Sequence, residues 1–171
     1  MINKSRNRYD YIFSRKKFDG LIVDTNLMLL FIVGLYDLDY IKNFPFRRTA
    51  RYSKEDFEKI SNVFSHFENI IITPHILTEL YHLSEKVHSY RIEEYFGVFI
   101  KALLEFDEIN VDKDIILNTP NLHKFGITDL AILSLASDKK YLVLSDDDKL
   151  SGLLRSKNID SLSIYEIREA F

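Results

Sequence analysis

Two apolar runs that end in acid constrain this chain more than any other feature. Leu21-Ile22-Val23 leads into Asp24-Thr25-Asn26, and Tyr141-Leu142-Val143-Leu144 leads into Ser145-Asp146-Asp147-Asp148. Short runs of this kind, bounded by polar residues, read as buried strands. After the first, the apolar stretch from Leu27 to about Leu35 reads as a helix. Thr25 or Asn26 is its expected cap, because either side-chain oxygen can satisfy N–H groups of the first turn. Asp24 then stands just beyond the carboxyl end of a strand, where open α/β sheets place their sites. A single Asp at such a junction reads equally well as a capping residue. The recurrence of the junction near the other end of the chain points to more than capping.

Between the two junctions the pattern alternates. Ser53 caps a helix from Lys54 to about Phe67, with Phe57, Ile60, Phe64 and Phe67 at helical spacing. Ile70-Ile71-Ile72 is a short strand, and Thr73-Pro74 opens a helix over His75–Leu83. A longer helix runs from about Ser89 to Phe106. Residues 107–121 are ambiguous, with Ile115-Ile116-Leu117 fitting a strand or a short helix. Thr128 is the expected cap of an apolar helix Leu130–Ala136. A helix Leu150–Ser156 and a last strand near Ser161–Ile164 complete the series. Gly34 and the acidic residues at 37–39 loosen the end of the first helix, and 40–53 reads as a loop. Strands alternating with helices through short links predict a three-layer α/β/α sandwich around a central, mostly parallel sheet.

A chain of 171 residues can bury a full core as one domain. The expected division is a basic arm over 1–20 that packs on a domain spanning 21–171, with an extended connection at 36–69. The absence of Cys removes disulfides, thiolate metal sites and cysteine nucleophiles together. The polar, basic start is not a signal peptide, and no uncharged run approaches the ~18 residues of a membrane span. A soluble cytoplasmic protein with no membrane partner is the expectation.

The net charge of -3 conceals two basic stretches in an otherwise acidic chain. One holds Lys4, Arg6, Arg8, Arg15, Lys16 and Lys17; the other holds Lys42, Arg47, Arg48, Arg51, Lys54 and Lys59. Basic flanks around an acidic centre suit a polyanion held by its backbone while carboxylates act on it. In the 42–52 stretch, Arg47, Arg48 and Arg51 are candidates to hold RNA phosphates, with Phe44, Phe46 or Tyr52 stacking on bases. The competing expectation is a surface loop whose aromatics tuck into the core.

Acidic residues stand at element boundaries: Asp24, Glu79, Asp129 and the 146–148 run. Right-handed crossovers between parallel strands bring the carboxyl ends to one edge of the sheet. Asp24 and the Asp146–Asp148 run are therefore expected as neighbours, with Glu79 reaching back from its helix. Carboxylates gathered in one cleft repel unless a cation joins them. An all-oxygen donor set suits Mg²⁺ or Mn²⁺, ions that support phosphodiester hydrolysis.

At these residues the chain resembles PIN-domain nucleases. Leu21-Ile-Val-Asp24-Thr-Asn, Ile72-Thr-Pro-His-Ile-Leu-Thr-Glu79-Leu, Gly126-Ile-Thr-Asp129-Leu-Ala-Ile-Leu and Leu142-Val-Leu-Ser145-Asp-Asp147 match the order of that family's four motif blocks. The resemblance implies a PIN-like fold and Mg²⁺- or Mn²⁺-dependent endoribonuclease activity. It makes Asp24, Glu79, Asp129 and Asp147 the catalytic, metal-binding acids, with Asp146 the alternative fourth ligand. Asn26 and Ser145 would orient those acids by hydrogen bonds. It further implies RNA as substrate, and it allows an antitoxin or other protein inhibitor and a homodimer as partners. A DNA-directed or structure-specific nuclease, or a non-catalytic RNA- or protein-binding module on the same fold, is the alternative. A separate possibility is Zn²⁺ chelation by His75, Glu79 and His82, which share one helix face; their spacing fits no zinc-protease motif, and polar-face residues are the expected reading.

Overall fold

Strand alternation splits the core into two halves, one on each side of a sheet. The computed structural model describes residues 12–13, 17–45 and 48–170. Strands β1 (Gly20–Val23), β2 (Ile70–Ile72), β3 (Asp107–Glu108), β4 (Tyr141–Leu144) and β5 (Ser161–Leu162) form one sheet in the order β3-β2-β1-β4-β5. Every pairing in it is parallel. Successive side chains along a strand face opposite sides. Leu21, Val23, Leu142 and Leu144 therefore join one core, while Ile22, Tyr141 and Val143 join the other.

The first core is covered by α1 (Thr25–Tyr36), α3 (Lys54–Phe64), α5 (Ile92–Leu103) and α10 (Ile164–Ala170), which bury Met28, Leu29, Ile60, Phe64, Tyr95, Phe99 and Ile167. A short α2 (Tyr40–Asn43) adds Tyr40 and Ile41 to it. The second core is covered by α6 (Lys113–Asn118), α8 (Ile127–Asp138) and α9 (Asp148–Ser156), through Ile116, Ile132, Leu135, Leu150 and Leu154. Helix α4 (Pro74–Ser84) feeds both, with Ile76 in one core and Leu80 and Leu83 in the other. The outcome is the expected three-layer α/β/α sandwich, with its sheet wholly parallel. No helix among the described residues is long and apolar enough to cross a membrane.

Several local expectations are corrected. The cap of α1 is Asp24, whose carboxylate accepts from the Leu27 N–H, and neither Thr25 nor Asn26 plays that part. Helix α8 begins at Ile127 behind Gly126, so Thr128 lies inside the helix and does not cap it. Residues 115–117 belong to α6, a helix. The connection at 36–69 holds α2 and α3, and α3 ends at Phe64. A 3₁₀ turn at Ser89–Arg91 precedes α5, which ends at Leu103. The last strand stops at Leu162, and Ile164 opens α10, which clamps α3 through a fork of Arg168 Nε and Nη2 on the two Asp56 oxygens, each 2.7 Å. Most of the expected arm at 1–20 lies outside the described residues; within it Ile12 is buried in the first core, and Phe13 and Phe18 pack on Phe67.

Gly34 does not loosen α1 but lies inside it, buried, where the Phe57 ring of α3 occupies the space a Cβ would need. The glycine is what lets the two helices approach. Gly34→Ala should destabilise the protein by about 1–2 kcal/mol in urea unfolding, because overpacking of about 1–3 kcal/mol exceeds the helix-propensity gain of about 1 kcal/mol.

Candidate functional site

The strand order reverses at β1, which pairs with β2 on one side and β4 on the other. Such a switch point opens a crevice beyond the carboxyl ends of the strands. Val23 of β1 pairs with Leu144 of β4, so the next residues, Asp24 and Ser145, meet directly. The Ser145 hydroxyl donates to Asp24 Oδ2 at 2.5 Å, and the Asp146 N–H donates to the same oxygen at 2.9 Å. With the Leu27 N–H on Oδ1 at 2.9 Å, three donors fix this carboxylate in place. Capping and membership of the acidic cluster are thus both true of Asp24.

Ser145 holds a second acid as well. Its Oγ accepts from the Asp147 N–H at 3.0 Å, and Asp147 then caps α9 by accepting from the N–H groups of Lys149 and Leu150. Asp129 projects from the first turn of α8. Glu79 sits midway along α4, where the Thr25 hydroxyl donates to its Oε2 at 3.0 Å. Asp24, Glu79, Asp129 and Asp147 line one cleft of about 380 Å³, together with Thr25, Asn26, Arg48 and Gly126. Gly126 opens α8 with φ of 86°, a backbone conformation that a side chain disfavours.

Asp146 takes a different course. Its side chain is only 3% exposed and does not line that cleft. Arg51 Nη2 pairs with its Oδ2 at 2.5 Å, the Tyr52 hydroxyl donates to the same oxygen, and its Oδ1 is buried without a hydrogen-bond partner among the described residues. Of the two candidates for the fourth acid, it is Asp147 that faces the cleft. Asn26 meets a cation and not an acid: its Oδ1 accepts from Arg48 Nη1 at 3.2 Å, and the same nitrogen lies 3.3 Å from Glu79 Oε1.

The basic aromatic stretch divides along the same line. Arg48 lines the cleft, Arg51 is committed to Asp146, and Arg47 and Phe46 lie outside the described residues. Phe44 and Tyr52 are buried, so neither stands ready to stack on a base; the expectation that the aromatics tuck into the core holds for both. Tyr52 as a partner of Asp146, and Thr25 as a partner of Glu79, carry no sequence signal, since each depends on a side chain far away in the chain. His82 is exposed and pairs with Glu85, so His75, Glu79 and His82 form no chelating group.

Electrostatically the cleft is strained. Burial, and then the nearby Asp146 charge, push the Asp24 carboxyl up from 3.8 to about 7 despite its hydrogen bonds. Burial, and then the charges of Asp147 and Glu79, push Asp129 up from 3.8 to about 7 as well. The N-termini of α1, α8 and α9 supply favourable dipoles. They do not offset the repulsion. This all-oxygen, charge-excessive set fits a hard divalent cation, although among the described residues no three His, Asp or Glu side chains stand together as a finished metal-binding group.

The shifts set a sign for stability against pH. A carboxyl whose folded-state pKa is raised leaves stability intact below its unfolded value near 4, and stability then falls as pH rises to about 7. Asp129→Asn, measured in chelator-treated buffer, should therefore match the wild type at pH 4 and raise the Tm by roughly 3–6 °C at pH 7.5. Equal Tm values at both pH values would contradict the repulsion. Comparison of the chain with protein-family models, with curated proteins and with solved structures finds no match in any of the three, so what the cleft does must be argued from its own chemistry.

Proposed function

We propose that the protein is a divalent-cation-dependent ribonuclease of the PIN-like type, cutting RNA phosphodiester bonds in the cleft at the β1–β4 switch point. One observation supports this reading above the others: four carboxylates, from residues 24, 79, 129 and 147, line one cleft, and two of them are driven up to about 7 by burial and neighbouring charge. A protein with no use for these acids gains nothing from burying Asp24, since a buried carboxylate opposes folding.

Asp24, Glu79, Asp129 and Asp147 would hold Mg²⁺ or Mn²⁺. When bound, the ion would relieve their repulsion and supply Lewis-acid stabilisation of charge developing on the phosphate. The chain's own residues do the positioning. Ser145 fixes Asp24 and the backbone of Asp147 at once, so the two cannot drift apart. Thr25 aims Glu79. The N-terminus of α8 directs its N–H groups towards the end of the cleft that Gly126 lines, a direction that favours an anion. RNA is the substrate that the four-block resemblance implies, and the same chemistry extends to other phosphodiesters.

Purified protein should cleave single-stranded RNA in Mn²⁺ or Mg²⁺ and lose that activity in EDTA. Asp24→Asn and Asp129→Asn should each lower kcat by about 10²–10³-fold, the range for removing one electrostatic stabiliser of a transition state, with unchanged far-UV circular dichroism. Wild-type rates in Asp24→Asn would overturn the proposal. Preference for single-stranded DNA would keep the chemistry and move the substrate.

A further inference from the structure

Arg48 is the single cationic side chain among the described residues that line the acidic cleft. Its contacts there are loose. The separation of 3.3 Å from Glu79 exceeds the usual 2.7–2.9 Å of a charge-assisted hydrogen bond. It also exceeds the other Arg–carboxylate pairs of this protein, such as the two 2.7 Å bonds of Arg168 to Asp56 and the 2.8 Å bond of Arg91 to Asp37. Both side chains of the Arg48–Glu79 pair are well exposed, at 43% and 37%. An exposed, poorly matched ion pair contributes little and exchanges readily.

The backbone that carries Arg48 is, by contrast, firmly seated. Thr49 and Tyr52 are buried, the Tyr52 N–H donates to the Thr49 carbonyl at 2.9 Å, and Arg51 and Tyr52 both grip Asp146. Only the Arg48 side chain needs to rotate for its guanidinium to change partners. Glu79 keeps its aim when that happens, because Thr25 holds the opposite oxygen.

We infer that Arg48 serves the cleft in two states: it is the resident counter-cation of Glu79 while no divalent ion is there, and it passes to a substrate phosphate once an ion takes that carboxylate. This inference rests on the metal-dependent reading above and names the residue that couples ion uptake to substrate grip. A guanidinium and a divalent ion compete for one carboxylate by like-charge repulsion, and the planar fork of Arg suits a phosphate oxygen pair. Arg48 is thus a phosphate-binding residue held in reserve at the rim.

The test compares wild type, Arg48→Gln and Arg48→Lys. By calorimetric titration with Mn²⁺ and no nucleic acid, Arg48→Gln should bind Mn²⁺ about five- to tenfold tighter than wild type, with Arg48→Lys between them. With single-stranded RNA in Mn²⁺, Arg48→Gln should raise KM about tenfold while kcat changes less than threefold. Its log(kcat/KM) should fall less steeply with log[KCl], by about 0.7 in slope, the value for one lost phosphate contact on a single strand. A residue that only propped up the cleft would move neither Mn²⁺ affinity upward nor the salt slope. Mn²⁺ uptake by the wild type with none tighter in Arg48→Gln overturns the exchange alone. No Mn²⁺ uptake by the wild type overturns the metal reading and the exchange with it.

Discussion

The site depends on a register. Pairing Val23 with Leu144 in parallel brings the next two residues, Asp24 and Ser145, side by side at the point where the strand order reverses. From there one hydroxyl does most of the positioning: Ser145 donates to Asp24 and accepts from the backbone of Asp147. A slip of one residue in either strand would turn every apolar side chain to the wrong core. The same apolar alternation that holds the sandwich together therefore also holds two acids in place, and folding and site assembly are one event.

Charge works against this arrangement, and the fold contains it in two ways. Asp146, the acid closest to Asp24, is turned from the cleft and held by Arg51 and Tyr52. Glu79 faces Arg48 across the cleft mouth. Both basic partners come from the stretch 48–52, so a loop that reads as a nucleic-acid surface also serves as the electrostatic anchor of the acidic cluster. What is left unrelieved is carried by Asp24 and Asp129, both near 7, in a cleft that gains stability from any cation able to join them.

Much of this was legible in the residues, and the gaps have physical causes. Strands β1, β2 and β4 announce themselves because each is an uninterrupted apolar run buried on both faces. Strand β3 does not: its two residues, Asp107 and Glu108, are exposed acids at the sheet edge and carry no hydrophobic pattern. Helix α10 hid behind a strand-like Ser-Leu-Ser-Ile, and only its partner Asp56, 112 positions away, explains why Arg168 belongs there. Cap residues were misplaced by one or two positions because Asp24 is both cap and cluster member, and spacing cannot separate those roles. The four acids lining the cleft could be named from their boundaries. Which way Asp146 turned depended on Tyr52, and no local rule connects the two.

The central claim is that acids from four separate elements share one divalent ion. Crystals soaked in Mn²⁺ and measured at the manganese absorption edge test it directly. An anomalous peak about 2.1 Å from carboxylate oxygens of Asp24 and Asp129, with Asp147 or Glu79 alongside, is the expected result. A cleft with no anomalous density at millimolar Mn²⁺, or a peak held elsewhere on the surface, would contradict it.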